Sequence, residues 1–173
     1  MIPIISIVGS SKGGKTTLIE RLIPEFIKRG YRVGTIKHHG EDFQIDHTGK
    51  DSWRHKEAGA HTVIISSPQK VALIEDASHD HSLEELAARF MHGVDIIIAE
   101  GFKREQYPKV EVFRKEIHPR PLAPDLENVI AVASNVPLPL DIPYVDLNDI
   151  RRIADIIEQE VVSTQNNKGP VKV

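Results

Sequence analysis

Gly9-Ser10-Ser11-Lys12-Gly13-Gly14-Lys15-Thr16 is the stretch of this chain that decides its fold. Before it, Ile4 to Val8 is a short β-branched apolar run that predicts a buried strand. After it, Leu18, Ile19, Leu22, Ile23, Phe26 and Ile27 recur at helical spacing until Gly30, which predicts a helix over Lys15 to Arg29 with one buried stripe. A glycine-rich turn between a strand and a helix aims backbone N–H groups and the positive helix end at an anion. A closing lysine adds a cation for β- and γ-phosphates, and the hydroxyl after it adds a ligand for Mg2+. The stretch is a complete Walker A loop, or P-loop. Gly9, Ser11, Lys12, Gly13, Gly14, Lys15 and Thr16 are its nucleotide-binding residues, with Lys15 also in a catalytic role and Thr16 at the metal. Partition-type ATPases carry an extra lysine directly after the first glycine; here that residue is Ser10.

Outward from the loop, strands and helices alternate, which predicts an α/β fold of the P-loop NTPase class, a mostly parallel sheet flanked by helices. Pro24 should kink the first helix without breaking it. Arg32 to Lys37 predicts a strand, Asp51 to Ala58 a short helix, and Thr62 to Ser66 with Lys70 to Glu75 an added β-hairpin around Ser67-Pro68-Gln69. Ser82 and Glu85 form a capping-box signature for a helix to about Met91. Strands follow at Asp95 to Ala99, Val110 to Phe113 and Val129 to Ala133, then a helix from about Asp149 to Val161. The expected organisation is one nucleotide-binding domain over residues 1–162, with 163–173 a polar, disordered tail.

A P-loop enzyme sets a carboxylate near the metal from the end of another core strand. Asp95 and Glu100 flank the most apolar strand and, at ~3.3 Å per residue, stand too far apart to serve one ion. Ligands of such sheets sit at the carboxyl ends of the strands. Parallel strands therefore put Glu100 at the site, as a catalytic or metal-linked group, and Asp95 at the far end.

Composition narrows the class. The chain has 173 residues, 40% of them hydrophobic and 27% charged, a net charge of −3 and no cysteine. These values exclude disulfides and a thiol nucleophile, and they give no general electrostatic drive toward nucleic acid. No apolar run is long enough to span a bilayer and no basic segment precedes the first strand, so the expected setting is cytoplasmic, away from membranes.

The loop from His38 to Lys50 is long and polar, a switch-like segment in which Asp46 or Asp51 senses Mg2+ through water. His38, His39, His47 and His55 match no familiar zinc spacing, so no dedicated zinc site is expected. Past Glu100, Lys103, Arg104, Lys109, Arg114, Lys115 and Arg120 offer charge for a second anion, with Lys103 the foremost nucleotide-binding candidate.

Four stretches then carry a resemblance: Ile7 to Thr17; Gly34-Thr35-Ile36-Lys37-His38-His39; Asp46 to Arg54 with Ala58-Gly59-Ala60; and Glu100-Gly101-Phe102-Lys103 followed by Pro108-Lys109-Val110-Glu111. Together they resemble the molybdopterin-guanine dinucleotide biosynthesis protein B (MobB) family over about residues 2–162. The resemblance implies a homodimeric GTP-binding accessory protein with weak Mg2+-dependent hydrolysis. It would assist the guanylyltransferase of molybdenum cofactor assembly, with molybdopterin itself a further candidate partner. It also implies phosphate or Mg2+ roles for Gly13, Gly14, Lys15, Thr16 and Thr17, a metal-edge role for Glu100, and pairing of the hairpin edge across subunits. Guanine is commonly read by an Asn-Lys-x-Asp run; here Asn135 stands at the corresponding strand end, but Val136 and Pro137 follow and no acid stands at the expected place. Preference for GTP over ATP thus rests on the resemblance. Two alternatives stay open: a P-loop small-molecule kinase using the Lys103 to Arg120 cluster, and a non-catalytic nucleotide-gated scaffold.

Overall fold

Residues 2–163 are described by the computed structural model. They form two compact units, one of residues up to His38 and from Ser82 onward, the other of His39–His81.

The first unit is built on a six-stranded parallel sheet. Its strands are β1 (Ile4–Val8), β2 (Val33–Lys37), β5 (Ile96–Glu100), β6 (Lys109–Phe113), β7 (Val129–Ser134) and β8 (Tyr144–Asp146), in the order β2-β5-β1-β6-β7-β8. The central strands are β-branched and buried on both faces, as a helix-covered parallel sheet requires. Helices α1 (Lys15–Lys28) and α4 (Ile150–Ile157) share one core with the sheet, in which Leu18, Leu22 and Phe26 meet Ile153, Ala154 and Ile157. The helix α3 (Leu83–Phe90) places Leu83 in a second core with Ile4, Ile97 and Ala99.

The local signals act as anticipated in most places. α1 runs through Pro24 without a break. Ser82 and Glu85 make the reciprocal capping box at the start of α3. Two details differ. The strand β8 is an addition to the expected set: three residues held by parallel pairing of Val145 to Ala133. The last helix changes to a π-helical turn at Glu158–Ser163, so Ser163 closes a helix instead of starting a tail. The remainder of the expected tail lies outside the described residues.

Lys109 departs from the expected set of residues offering charge to a second anion, and Glu111 is buried beside it. Both are about 1% exposed in β6, on the opposite strand face to Val110 and Val112. Lys109 Nζ donates to the carbonyls of Glu105, Tyr107 and Glu127, so its charge ties loops together and is not available to a second anion. Glu111 accepts at 2.7 Å from the backbone N–H of both Leu122 and Ala123.

Asp95 lies at the amino end of β5, opposite the P-loop edge. It accepts from Arg32 Nη2 at 2.9 Å, Nε at 3.0 Å and the backbone N–H at 2.8 Å, and these bonds hold its pKa down to about 2. A depressed acid contributes stability that is complete above its ordinary value, 3.8, and lost as pH falls through about 2. Asp95→Asn should therefore lower the melting temperature at neutral pH, with the gap to wild type closing between pH 4 and 2. Thermal melts across that range check this; a gap of constant size would refute it.

The second unit holds the helix α2 (Asp51–Glu57) and the strands β3 (Thr62–Ser66) and β4 (Val71–Glu75), which pair antiparallel as a separate two-stranded sheet. Ile64, Leu73 and Val71 lie on one face of this hairpin and are 61%, 43% and 71% exposed.

Candidate nucleotide-phosphate site

The P-loop is seated against β6. Gly9 has φ 142°, and a Cβ built on it would lie 2.4 Å from the Val112 carbonyl oxygen, so no larger residue fits this turn. Gly14 begins α1 with φ 99°, a left-handed conformation that glycine adopts without strain. Among the described residues no side chain caps α1, and its first turn holds no acid. The free N–H groups and positive end of the helix are thereby left for an anion. Gly13 is buried inside the turn, while Ser11, Lys12, Thr16 and Thr17 are exposed around it.

Lys15 arches back over this loop, its Nζ donating to the carbonyls of Gly9 at 3.1 Å and Ser10 at 2.9 Å. Partial burial lowers its pKa, Glu100 acts to raise it, and Lys37 and Lys103 lower it further. Lys103, at the exposed turn after β5, thus belongs to the electrostatic surroundings of the loop, as its spacing from Glu100 suggested.

Glu100 stands at the carboxyl end of β5, in register with Ile7 of β1 and Lys37 of β2. The Thr16 hydroxyl donates to its carboxylate, 3.0 Å from Oε2 and 3.2 Å from Oε1. Direction along a parallel sheet therefore separated Glu100 from Asp95 correctly. Lys37 Nζ lies 3.5 Å from Glu100 Oε1, a neighbour missed from the sequence because it depends on β2 lying beside β5. A hydroxyl and a carboxylate in contact are hard-oxygen donors of the kind that suits Mg2+, and the lysine and uncapped helix start beside them suit an anion.

The other expected residues have these surroundings. Asp46 belongs to the second unit, where hydrogen bonds from Ser52 and from the His47 backbone hold its carboxyl below its ordinary pKa. Asn135 follows β7 on the sheet edge that carries the P-loop, and its partners are the turn after β6: its Nδ2 donates to Glu116 Oε2 at 2.6 Å, and its Oδ1 accepts from the Lys115 N–H at 3.3 Å. His38 stacks with Phe102, ring centres 5.0 Å apart, and its N–H donates to the Glu100 carbonyl. The anticipated basic cluster does not converge: Lys109 is internal, Arg120 pairs with Asp125 at 2.8 Å, and Arg114 lies against Gly14.

The family described as molybdopterin guanine dinucleotide synthesis protein B (MobB) matches residues 4–135 of this chain. The chain belongs to the MobB family. A Haemophilus influenzae relative described as a molybdopterin-guanine dinucleotide biosynthesis adapter protein is 45% identical over 158 residues, covering 91% of this chain and 88% of the relative. An Escherichia coli K12 relative of the same description is 40% identical over 161 residues, covering 91% and 92%. Among solved structures, one described as molybdopterin-guanine biosynthesis protein B matches with a TM-score of 0.73 at 30% identity over 90% of this chain and 97% of that one. Bacillus subtilis MobB matches with a TM-score of 0.72 at 27% identity over 92% and 98%. The MobB resemblance, carried by the four motif stretches, and the expected P-loop α/β fold both hold. The role in molybdopterin guanine dinucleotide biosynthesis follows from the family. No helix among the described residues is long and apolar enough to cross a membrane.

Proposed function

We propose that this chain binds GTP with Mg2+ at the P-loop and serves as an accessory protein to the guanylyltransferase that completes molybdopterin guanine dinucleotide. The observation that carries the proposal is the Thr16–Glu100 contact beside Lys15, at the mouth of the uncapped helix. Gly13, Gly14 and the start of α1 would cradle the phosphates, Lys15 would turn from its carbonyl partners to the β- and γ-oxygens, and Thr17 would follow along the helix. When bound, Mg2+ supplies charge neutralisation on those phosphates, and Thr16 and Glu100 would hold it. Glu100 is already engaged by Thr16 and Lys37, which favours holding a ligand over activating water; hydrolysis is accordingly expected to be weak. We further propose a homodimer, with the exposed Ile64–Leu73–Val71 face of the hairpin as the surface a second copy covers.

Isothermal titration of purified protein with Mg2+ should give tighter binding of GTP than ATP. Addition of the protein with GTP to the guanylyltransferase, molybdopterin and molybdate should raise dinucleotide yield. Preference for ATP, or no effect on yield, would overturn the proposal. Light scattering checks the dimer, and Ile64→Glu should shift it to monomer.

A further inference from the structure

Resting on the nucleotide-binding proposal above, we infer that Glu116, positioned by Asn135, is the carboxylate that reads the guanine edge and selects GTP over ATP. Guanine presents two parallel donors, N1–H and the C2 amino group, which the two oxygens of a carboxylate accept together. Adenine presents an unprotonated N1 there, which a carboxylate repels. The strand end after β7 supplies the amide, Asn135, but Val136, Pro137 and Leu138 follow it, with no acid where an Asn-Lys-x-Asp run would put one.

The acid comes from the neighbouring strand. The turn after β6 brings Glu116 to Asn135, whose side-chain amide donates to its carboxylate at 2.6 Å and accepts from the Lys115 backbone N–H at 3.3 Å. Asn135 thereby clasps this turn from both sides of its amide. The turn is also linked to the phosphate loop. Arg114 Nη1 lies 3.6 Å from Glu116 Oε1, and Arg114 Nε lies 3.4 Å from where a Cβ of Gly14 would stand. Arg114 therefore lies between the last glycine of the P-loop and the acid. Glu111 pins the far end of the same segment through Leu122 and Ala123. A backbone hydrogen bond, then Asn135, holds the Glu116 carboxyl below its ordinary pKa, so it is an acceptor at neutral pH. Its side chain remains 54% exposed, so it is open to a ligand.

Titration of full-length wild type and Glu116→Gln with the Mg2+ complexes of GTP, ATP and XTP tests this. The variant should bind GTP about 10- to 100-fold more weakly and leave ATP unchanged. It should also gain affinity for XTP, because an amide accepts from N1–H and donates to the C2 carbonyl of xanthine. A structural role alone would not produce that gain. Wild type that binds GTP while Glu116→Gln keeps the same GTP-to-ATP ratio would overturn the inference and leave the phosphate site standing. Wild type that binds no nucleoside triphosphate would overturn both.

Discussion

Lys15→Ala should abolish measurable GTP binding while the chain stays folded. In wild type the ammonium sits on the Gly9 and Ser10 carbonyls, poised at the uncapped start of α1. Charge-assisted hydrogen bonds contribute roughly 1.5–3 kcal/mol each. Losing those to two phosphates weakens binding by a factor on the order of 100 to 1000 or more. Lys37 and Lys103 influence Lys15 electrostatically, but Lys37 is already drawn to Glu100 and Lys103 lies outside the loop. Neither replaces a cation held inside the turn. The fold should tolerate the change, since the lost bonds are two side-chain contacts on a partly exposed loop. Titration calorimetry with a circular-dichroism control decides it: unchanged affinity in a folded variant would remove the site assignment.

Glu111→Leu should cost far more stability than its surface setting in an amino-acid scale suggests. Leucine keeps most of the volume and removes both acceptors, stranding the N–H groups of Leu122 and Ala123. An unsatisfied buried donor costs roughly 1–3 kcal/mol, so the pair costs roughly 2–6 kcal/mol. At this chain length that lowers the melting temperature by roughly 4–24 °C. Burial pushes the Glu111 carboxyl up in pKa and the two N–H groups pull against it, so glutamine, which keeps one acceptor, should fall between the two. Urea melts of the three proteins test the order. A leucine variant as stable as wild type would mean that the 114–122 segment finds water for those donors.

Most of this architecture was legible because its signals are local. Strand β1, the glycine turn and the stripe of α1 are contiguous, and the capping box of Ser82 and Glu85 fixes a helix start within four residues. Glu100 was separable from Asp95 because strand direction alone puts them at opposite sheet edges. What escaped depends on partners distant in the chain. β8 has only three residues and exists because β7 offers it an edge. Lys109 resembled its solvated neighbours, and nothing in its own segment announces the Glu127 carbonyl that helps to bury it. Glu116 was likewise invisible as a partner of Asn135, because an acid supplied by a different strand leaves no spacing rule to find.

The place of β1 in the sheet also orders events during synthesis. Ile4 pairs with Ile97 and Ser6 with Lys109, so β1 leaves the ribosome well before either of its neighbours, β5 and β6. Until they emerge its isoleucines and open edges are exposed to other chains, a setting in which parallel sheets fold slowly and aggregate. Gly9 takes its seat only against the Val112 carbonyl. The nascent chain therefore carries its Walker A residues well before β6 emerges, and the loop is seated only after it has. A ribosome stalled before that point would display β1 with both edges unpaired and its glycine turn without the carbonyl it seats against.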